Sequence, residues 1–353
     1  MRAGATYLAL AILAIVACGV ARAGNTVPAR EASASATLTR VRAAGELRCG
    51  IDQEEAEYST SDDHGNREAF DADLCRAVAV AVLGEKAQVK VTRYPDDRTA
   101  MRGLDSGEVE MVATLTDDFT HAAGTHLLFT RPVLWDGVGF LVAARSTVTR
   151  ARQLSEKKVC FLSETAVEES VRAWFAREHL DFVPFPFQEE GEMEAAFATG
   201  NCGALAGDGT RLAETRAALA QHGKRARLLP ERISKDPLAA AVRADDPEWA
   251  AIVSWVMEAL VQAEESSVTR ANVQAIRTRA ESNPVLRFLL GASHEMGNAL
   301  GLDEDWVVRV IEATGNYGEI YERDLGSGSP LKLPRGENNL RERGGAMSAL
   351  PPK

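Results

Sequence analysis

Apolar and polar positions along this chain follow two periods in alternation, one of about two residues and one of about 3.6. ELRCGI reads as a short apolar strand. After a polar loop, FDADLCRAVAVAVLG repeats Phe70, Leu74, Val78, Ala81 and Val82 at helical spacing, and Gly84 suits the helix end. AQVKVTRY alternates as a strand, DRTAMRGLDSG reads as a short helix closed by Gly107, and EVEMVATL as the next strand. This order predicts parallel pairing in an α/β lobe, because parallel neighbours need a crossover between them. DGVGFLVAA returns as a strand toward a crossover near Arg145. The plan then repeats. KKVCFLS, FVPFPF and CGALAGD read as strands around the helices TAVEESVRAWFAREH and EEGEMEAAFATG, and the strand PLAAAVRA carries the chain back. Helical patterns follow in PEWAAIVSWVMEALVQAEES, NPVLRFLLG and DEDWVVRVIEATGNYGEIYERDL. From Gly326 on, Gly, Ser, Pro and charge predict a partly mobile surface loop.

The pattern therefore predicts two parallel-rich sheets flanked by helices, in two lobes. Residues 24–144 and 238–353 form lobe 1 with a C-terminal helical extension, and residues 145–237 form lobe 2. Two crossings leave a cleft between lobes, and ligands in such sheets gather at the carboxyl ends of strands. The loops of interest are 52–66, 114–126, 163–167 and 207–210.

The opening MRAGATYLALAILAIVACGVARAG combines an early arginine, an apolar run and Ala21-Arg22-Ala23, which predicts a signal peptide over 1–23 and a periplasmic protein. Ile15-Val16-Ala17-Cys18 leaves a lipid anchor at Cys18 as the alternative. No second run of about 18 apolar residues follows, so the mature chain is not expected to span a membrane. Loss of Arg2 and Arg22 takes the formal charge from −11 to −13, which disfavours nucleic acid as a partner. The remaining cysteines, Cys49, Cys75, Cys160 and Cys202, allow three pairings in an oxidising compartment, and Cys49–Cys75 with Cys160–Cys202 keeps each bond local to one lobe. No CxxC spacing points to zinc or thioredoxin chemistry. GxSxG and dinucleotide fingerprints are missing, GSGSP lacks the lysine of a phosphate loop, and no nucleophile sits beside a base. The chain does not read as an enzyme. Trp135, Trp249, Trp255 and Trp306 fall in apolar patterns and read as packing.

FDADLCRAVAVAVLG, LDSGEVEMV, WDGVGF, ERISKDPLAAAVRADDPEWAAIVSW, NPVLRFLLG, LGLDEDW and GNYGEIYERDLGSGSPL, in this order, resemble the periplasmic general L-amino-acid binding proteins of ABC importers. The resemblance runs from about Val41 to the C-terminus. It implies a bilobal type II periplasmic binding protein that closes on one ligand and delivers it to a membrane permease. The expected state is a monomer.

The ligand-holding positions depart from that family. Its first loop reads like Gln-Gly-Leu-Ala-Gly-Phe-Ser, whereas this chain has Gln53-Glu54-Glu55-Ala56-Glu57-Tyr58-Ser59, with Tyr58 at the place of an aromatic against the ligand. The family's Asn-Thr-Thr-Trp-Thr-x-x-Arg-Asp supplies an arginine for the α-carboxylate. Counting back from Asp136-Gly137, His121 stands at the arginine position and Asp117 at the tryptophan position. The Gly-Thr-Thr-Thr-Glu loop becomes Glu164-Thr165-Ala166-Val167-Glu168, while the aspartate that pairs with the ligand ammonium matches Asp208. An imidazole cannot reproduce the two parallel hydrogen bonds of a guanidinium on a carboxylate. Two like charges about 4 Å apart repel by roughly 4 kcal/mol at an effective dielectric near 20. Glu54, Glu57, Asp117 and Glu164 therefore predict a cleft hostile to a ligand carboxylate and suited to a cation: an amine, a polyamine or a metal ion held by Asp117, Asp118, His121, Glu54 and Glu57. The competing expectation is a binding-protein fold recruited as an accessory of a periplasmic protein or enzyme, with its pocket spoiled. No other cofactor is expected.

Overall fold

The computed structural model describes residues 35–52, 67–291 and 295–351. Helix α1 (Ala36–Ala44) leads into strand β1 (Glu46–Asp52). Helix α2 (Arg67–Leu83) follows, then β2 (Gln88–Tyr94), α3 (Asp97–Ser106), β3 (Met111–Thr116), the short α4 (Phe119–Ala123) and β4 (Leu127–Asp136). The chain then builds β5 (Val138–Ala143), β6 (Lys158–Leu162), α5 (Ala166–Arg177), β7 (Val183–Phe187), α6 (Glu190–Ala198), β8 (Ala204–Asp208), α7 (Gly209–Gln221) and β9 (Ala226–Leu228). It returns through β10 (Asp236–Arg243) to α8 (Pro247–Glu265), α9 (Val273–Arg277), α10 (Pro284–Leu289), α11 (Glu295–Leu300), α12 (Trp306–Thr314) and α13 (Tyr317–Asp324). No helix among the described residues is long and apolar enough to cross a membrane.

The strands form two five-stranded sheets, ordered β2-β1-β3-β10-β4 and β7-β6-β8-β5-β9. Each is mixed. In the first, β1 runs parallel to β2 and β3, while β10 is antiparallel to β3 and β4. In the second, β6 runs parallel to β7 and β8, while β5 is antiparallel to β8 and β9. DGVGFLVAA was expected to close lobe 1, yet its strand, β5, bonds to β8 and β9 of the second sheet. The chain crosses at Asp136–Gly137, earlier than the expected crossover near Arg145, because β4 ends on Asp136 and β5 starts on Val138. An alternating pattern identifies a strand but not its sheet.

Local chemistry sets the helix ends. Asp96 Oδ1 accepts the Thr99 N–H at 2.7 Å to start α3, and Gly107 ends it in the left-handed conformation at φ 73°. Asp246 starts α8 by accepting the Trp249 N–H, and its other oxygen takes the Ser35 hydroxyl and the Thr37 N–H. Burial alone would raise this carboxyl; the donors outweigh it and hold it below the usual range. On the first sheet, α2, α8, α12 and α13 bury Phe70, Leu74, Trp249, Trp306 and Tyr317. Each such side chain stabilises by roughly 1.5–3 kcal/mol relative to exposure. On the second sheet, Phe140, Phe161, Trp174 and Phe175 form a separate cluster. Disulfides join Cys49 to Cys75 and Cys160 to Cys202, with Cα atoms 6.1 and 5.8 Å apart, the local pairing expected from the sequence.

The tail beyond Gly326, expected as a surface loop, is anchored. Leu331, Leu333, Leu340 and Met347 are buried. Arg335 pairs with Glu264 at 3.0 Å and lies over the rings of Tyr317 and Tyr321. The Asn338 amide accepts the Trp135 N–H at 2.6 Å and donates to the Trp135 carbonyl at 2.8 Å, completing the outer edge of β4 in place of another strand.

Candidate ligand-binding site

The carboxyl end of β3 presents the first group of site candidates. The Asp117 N–H donates to the Pro237 carbonyl at 2.8 Å, which ties this residue to the start of β10. The Asp117 side chain is half-buried, and burial, reinforced by Asp118, pushes its carboxyl above the ordinary value. Asp118 caps α4: its Oδ1 accepts the His121 N–H at 2.8 Å and lies 2.9 Å from His121 Nδ1, close but not aligned as a hydrogen bond. The structure thus brings Asp117, Asp118 and His121 together on one short turn. Phe119, between them, is 86% exposed.

The second group lies at the start of α5. Thr165 Oγ1 donates to the Leu162 carbonyl at 2.8 Å and accepts the Glu168 N–H at 3.4 Å. Glu164 is exposed and adopts a left-handed backbone, φ 61°. Its N–H donates to Glu168 Oε2 at 2.9 Å, and Arg172 Nε donates to Glu168 Oε1 at 2.7 Å. Those two donors, the Glu164 amide first, hold the Glu168 carboxyl below its usual range.

Asp208 ends β8 and precedes α7, half-buried, with no side-chain capping bond to the helix. The capping comes from Asp136, at the first crossing. Its Oδ1 accepts the Gly137 and Gly209 N–H groups at 2.8 and 2.9 Å. Its Oδ2 accepts the Thr210 N–H and hydroxyl at 3.0 and 2.7 Å. The second crossing touches the first. A Cβ on Gly137 would meet the Ser234 carbonyl at 2.5 Å, so only glycine fits there. Ser234 Oγ accepts the Val138 N–H and donates to Asp236, whose carboxyl is raised by burial and also by Asp136 and Asp118.

Sequence reasoning missed two charged groups at this place. Asp136 stood in the quoted WDGVGF but served there only as a register mark. Arg232 lies in ERISKDPL, and no periodicity singles it out. Its guanidinium covers Gly139 and Gly209: a Cβ at Gly209 would meet Arg232 Nε at 2.6 Å. Gly139 pairs with Gly207, whereas Asp208 pairs with Val138, so Arg232 covers the sheet face opposite Asp208.

Glu54, Glu57 and Tyr58 lie outside the described residues, as does Cys18. Among the described residues no group of three or more His, Cys, Asp or Glu side chains is arranged to hold a metal ion. Asp117, Asp118 and His121 therefore do not form a metal set by themselves.

Residues 47–270 match the family described as bacterial extracellular solute-binding proteins, family 3. The chain is 37% identical to the general L-amino acid-binding periplasmic protein AapJ of Rhizobium johnstonii, over 96% of this chain and 98% of that one. It is 35% identical to the glutamate/glutamine/aspartate/asparagine-binding protein BztA of Rhodobacter capsulatus, over 91% of this chain and 94% of that one. Among solved structures, an ABC transporter / periplasmic binding protein from Brucella ovis with glutathione bound is 35% identical. It superimposes with a TM-score of 0.75, covering 89% of this chain and 98% of that one.

Proposed function

Because the chain belongs to the bacterial extracellular solute-binding proteins of family 3, we propose that it is the periplasmic receptor of an ABC importer whose solute is an organic cation: an amine or polyamine without a free α-carboxylate. The observation that carries this reading is the turn after β3. Where the resemblance expects an arginine for a carboxylate, the turn holds Asp117, Asp118 and His121, with the imidazole already against Asp118. Losing one member of a buried charge pair costs about 2–5 kcal/mol, and a second carboxylate nearby adds repulsion. Asp208 keeps the place of the family's ammonium partner. Amino acids and glutathione, the ligands named for the relatives, also carry an ammonium group. The cationic reading therefore keeps one half of the relatives' recognition and replaces the other.

The double substitution Asp117→Trp with His121→Arg restores the family residues at this turn. It should confer binding of neutral L-amino acids, read as a rise in melting temperature. A ligand at 100 times its dissociation constant stabilises by about 2.7 kcal/mol. A variant that folds and shows no such rise would remove the support drawn from this turn.

A further inference from the structure

We infer that Arg216 latches the two lobes: its hydrogen bond to the Leu331 carbonyl joins α7, which follows β8 of the second sheet, to the C-terminal segment of the first lobe, and its release lets the lobes change their angle. Helix α7 has two working sides. Leu212 and Leu219 pack with Leu141 and Leu205 of the second sheet. Ala213 and Ala217 turn the other way: Ala213 is fully buried in the cluster that holds Leu325, Leu331 and Leu333, and Ala217 packs against it. Arg216 lies three residues after Ala213 and so on the same side. The first turn of that side is already fixed by Asp136, whose oxygens accept the Gly209 and Thr210 N–H groups. Arg216 makes the second attachment, about 10 Å further along the helix. Two bodies joined by adjacent strand crossings can turn about them. A bond at the crossing, such as that of Asp136, survives such a turn. A bond about 10 Å away does not, so Arg216 is the one that restrains the angle.

Both partners are shaped for this contact. Leu331 and Leu333 are buried, and their N–H groups donate to Ser329 Oγ at 2.9 Å and to the Leu325 carbonyl at 2.8 Å. Lys332, between them, is exposed and left-handed at φ 44°, a strained conformation for lysine. This dihedral orients the peptide plane that carries the Leu331 carbonyl. Arg216 is half-buried; burial lowers its pKa, and no carboxylate among the described residues offsets that. When the bond breaks, the guanidinium regains water, so holding and letting go are close to balance. That balance makes the contact reversible.

The test is a distance measurement by double electron–electron resonance on the whole protein without ligand. Spin labels go on Lys86→Cys beside the first sheet and Ala173→Cys on α5 of the second, both exposed positions. Arg216→Met keeps the apolar stem and removes the donor. It should raise the weight of a second population of interlobe distances about fivefold over the unsubstituted protein. An unchanged distribution overturns the inference, and a lowered melting temperature with unchanged distances does the same, since the bond would then be structural only. Lys332→Pro reaches the same bond from the segment: proline holds φ at about −65° and turns the Leu331 carbonyl away while Arg216 stays intact. It should show the same redistribution, and it decides alone if Arg216→Met does not fold; unchanged distances there overturn the inference equally. No ligand enters, so the result is independent of the solute proposed above.

Discussion

Asp117, Asp118 and His121 bring two carboxylates and an imidazole onto one short turn. Burial already resists the ionised form of Asp117, and Asp118 adds to that resistance. A cation near them relieves both costs, whereas an anion adds a third. Glu164 carries a separate cost. A side chain at φ 61° crowds its own backbone by roughly 1 kcal/mol. Glu164→Gly should therefore raise stability by up to about 1 kcal/mol in chemical denaturation, since its backbone N–H bond to Glu168 survives. Away from the site, Asp324 is fully buried with no hydrogen-bond partner on either oxygen, and Arg323 Nε lies 3.4 Å away without alignment. Burial and the neighbouring Asp73 push its carboxyl from 3.8 up to about 7. The folded protein then holds a proton that the unfolded chain has released, so this group lowers stability as pH rises from about 3.8 to about 7. Asp324→Asn should raise the melting temperature at pH 8 and leave it nearly unchanged near pH 4.

The C-terminal segment is the element that departs furthest from its sequence pattern. Its Gly, Ser and Pro content describes a chain without regular structure, and it has little. Composition says nothing about the partners that fix it. Arg335 is held by Glu264, by two tyrosine rings and by the Asn338 carbonyl, and Asn338 closes the edge of β4. Removing one partner of a buried ion pair costs about 3–5 kcal/mol, so Arg335→Ala should lower stability by about 3 kcal/mol in denaturant unfolding. The regular elements were legible because burial imposes a period: Phe70, Leu74 and Val78 all face the core of α2. Helix α7 was not, since GTRLAETRAALAQ mixes small and charged residues and its start depends on Asp136, 72 positions before Asp208 in the chain by simple residue numbering. At the site, the resemblance supplied Asp117, His121, Thr165 and Asp208. It did not supply Asp136 or Arg232, whose roles arise only when the two crossings meet.

At the scale of the molecule, two mixed sheets are joined by two strand crossings packed against each other at Gly137 and Ser234. The disulfides each tie elements of a single sheet, Cys49 of β1 to α2 and Cys160 of β6 to the turn before β8, so neither bond spans the crossings. The proposed receptor is expected to prefer a positive solute over one with an α-carboxylate. Side-by-side calorimetric titration with putrescine and L-glutamine tests it most directly. Heat of binding with putrescine and none with L-glutamine is the predicted result. Binding of L-glutamine in the micromolar range, with putrescine inert, would contradict it.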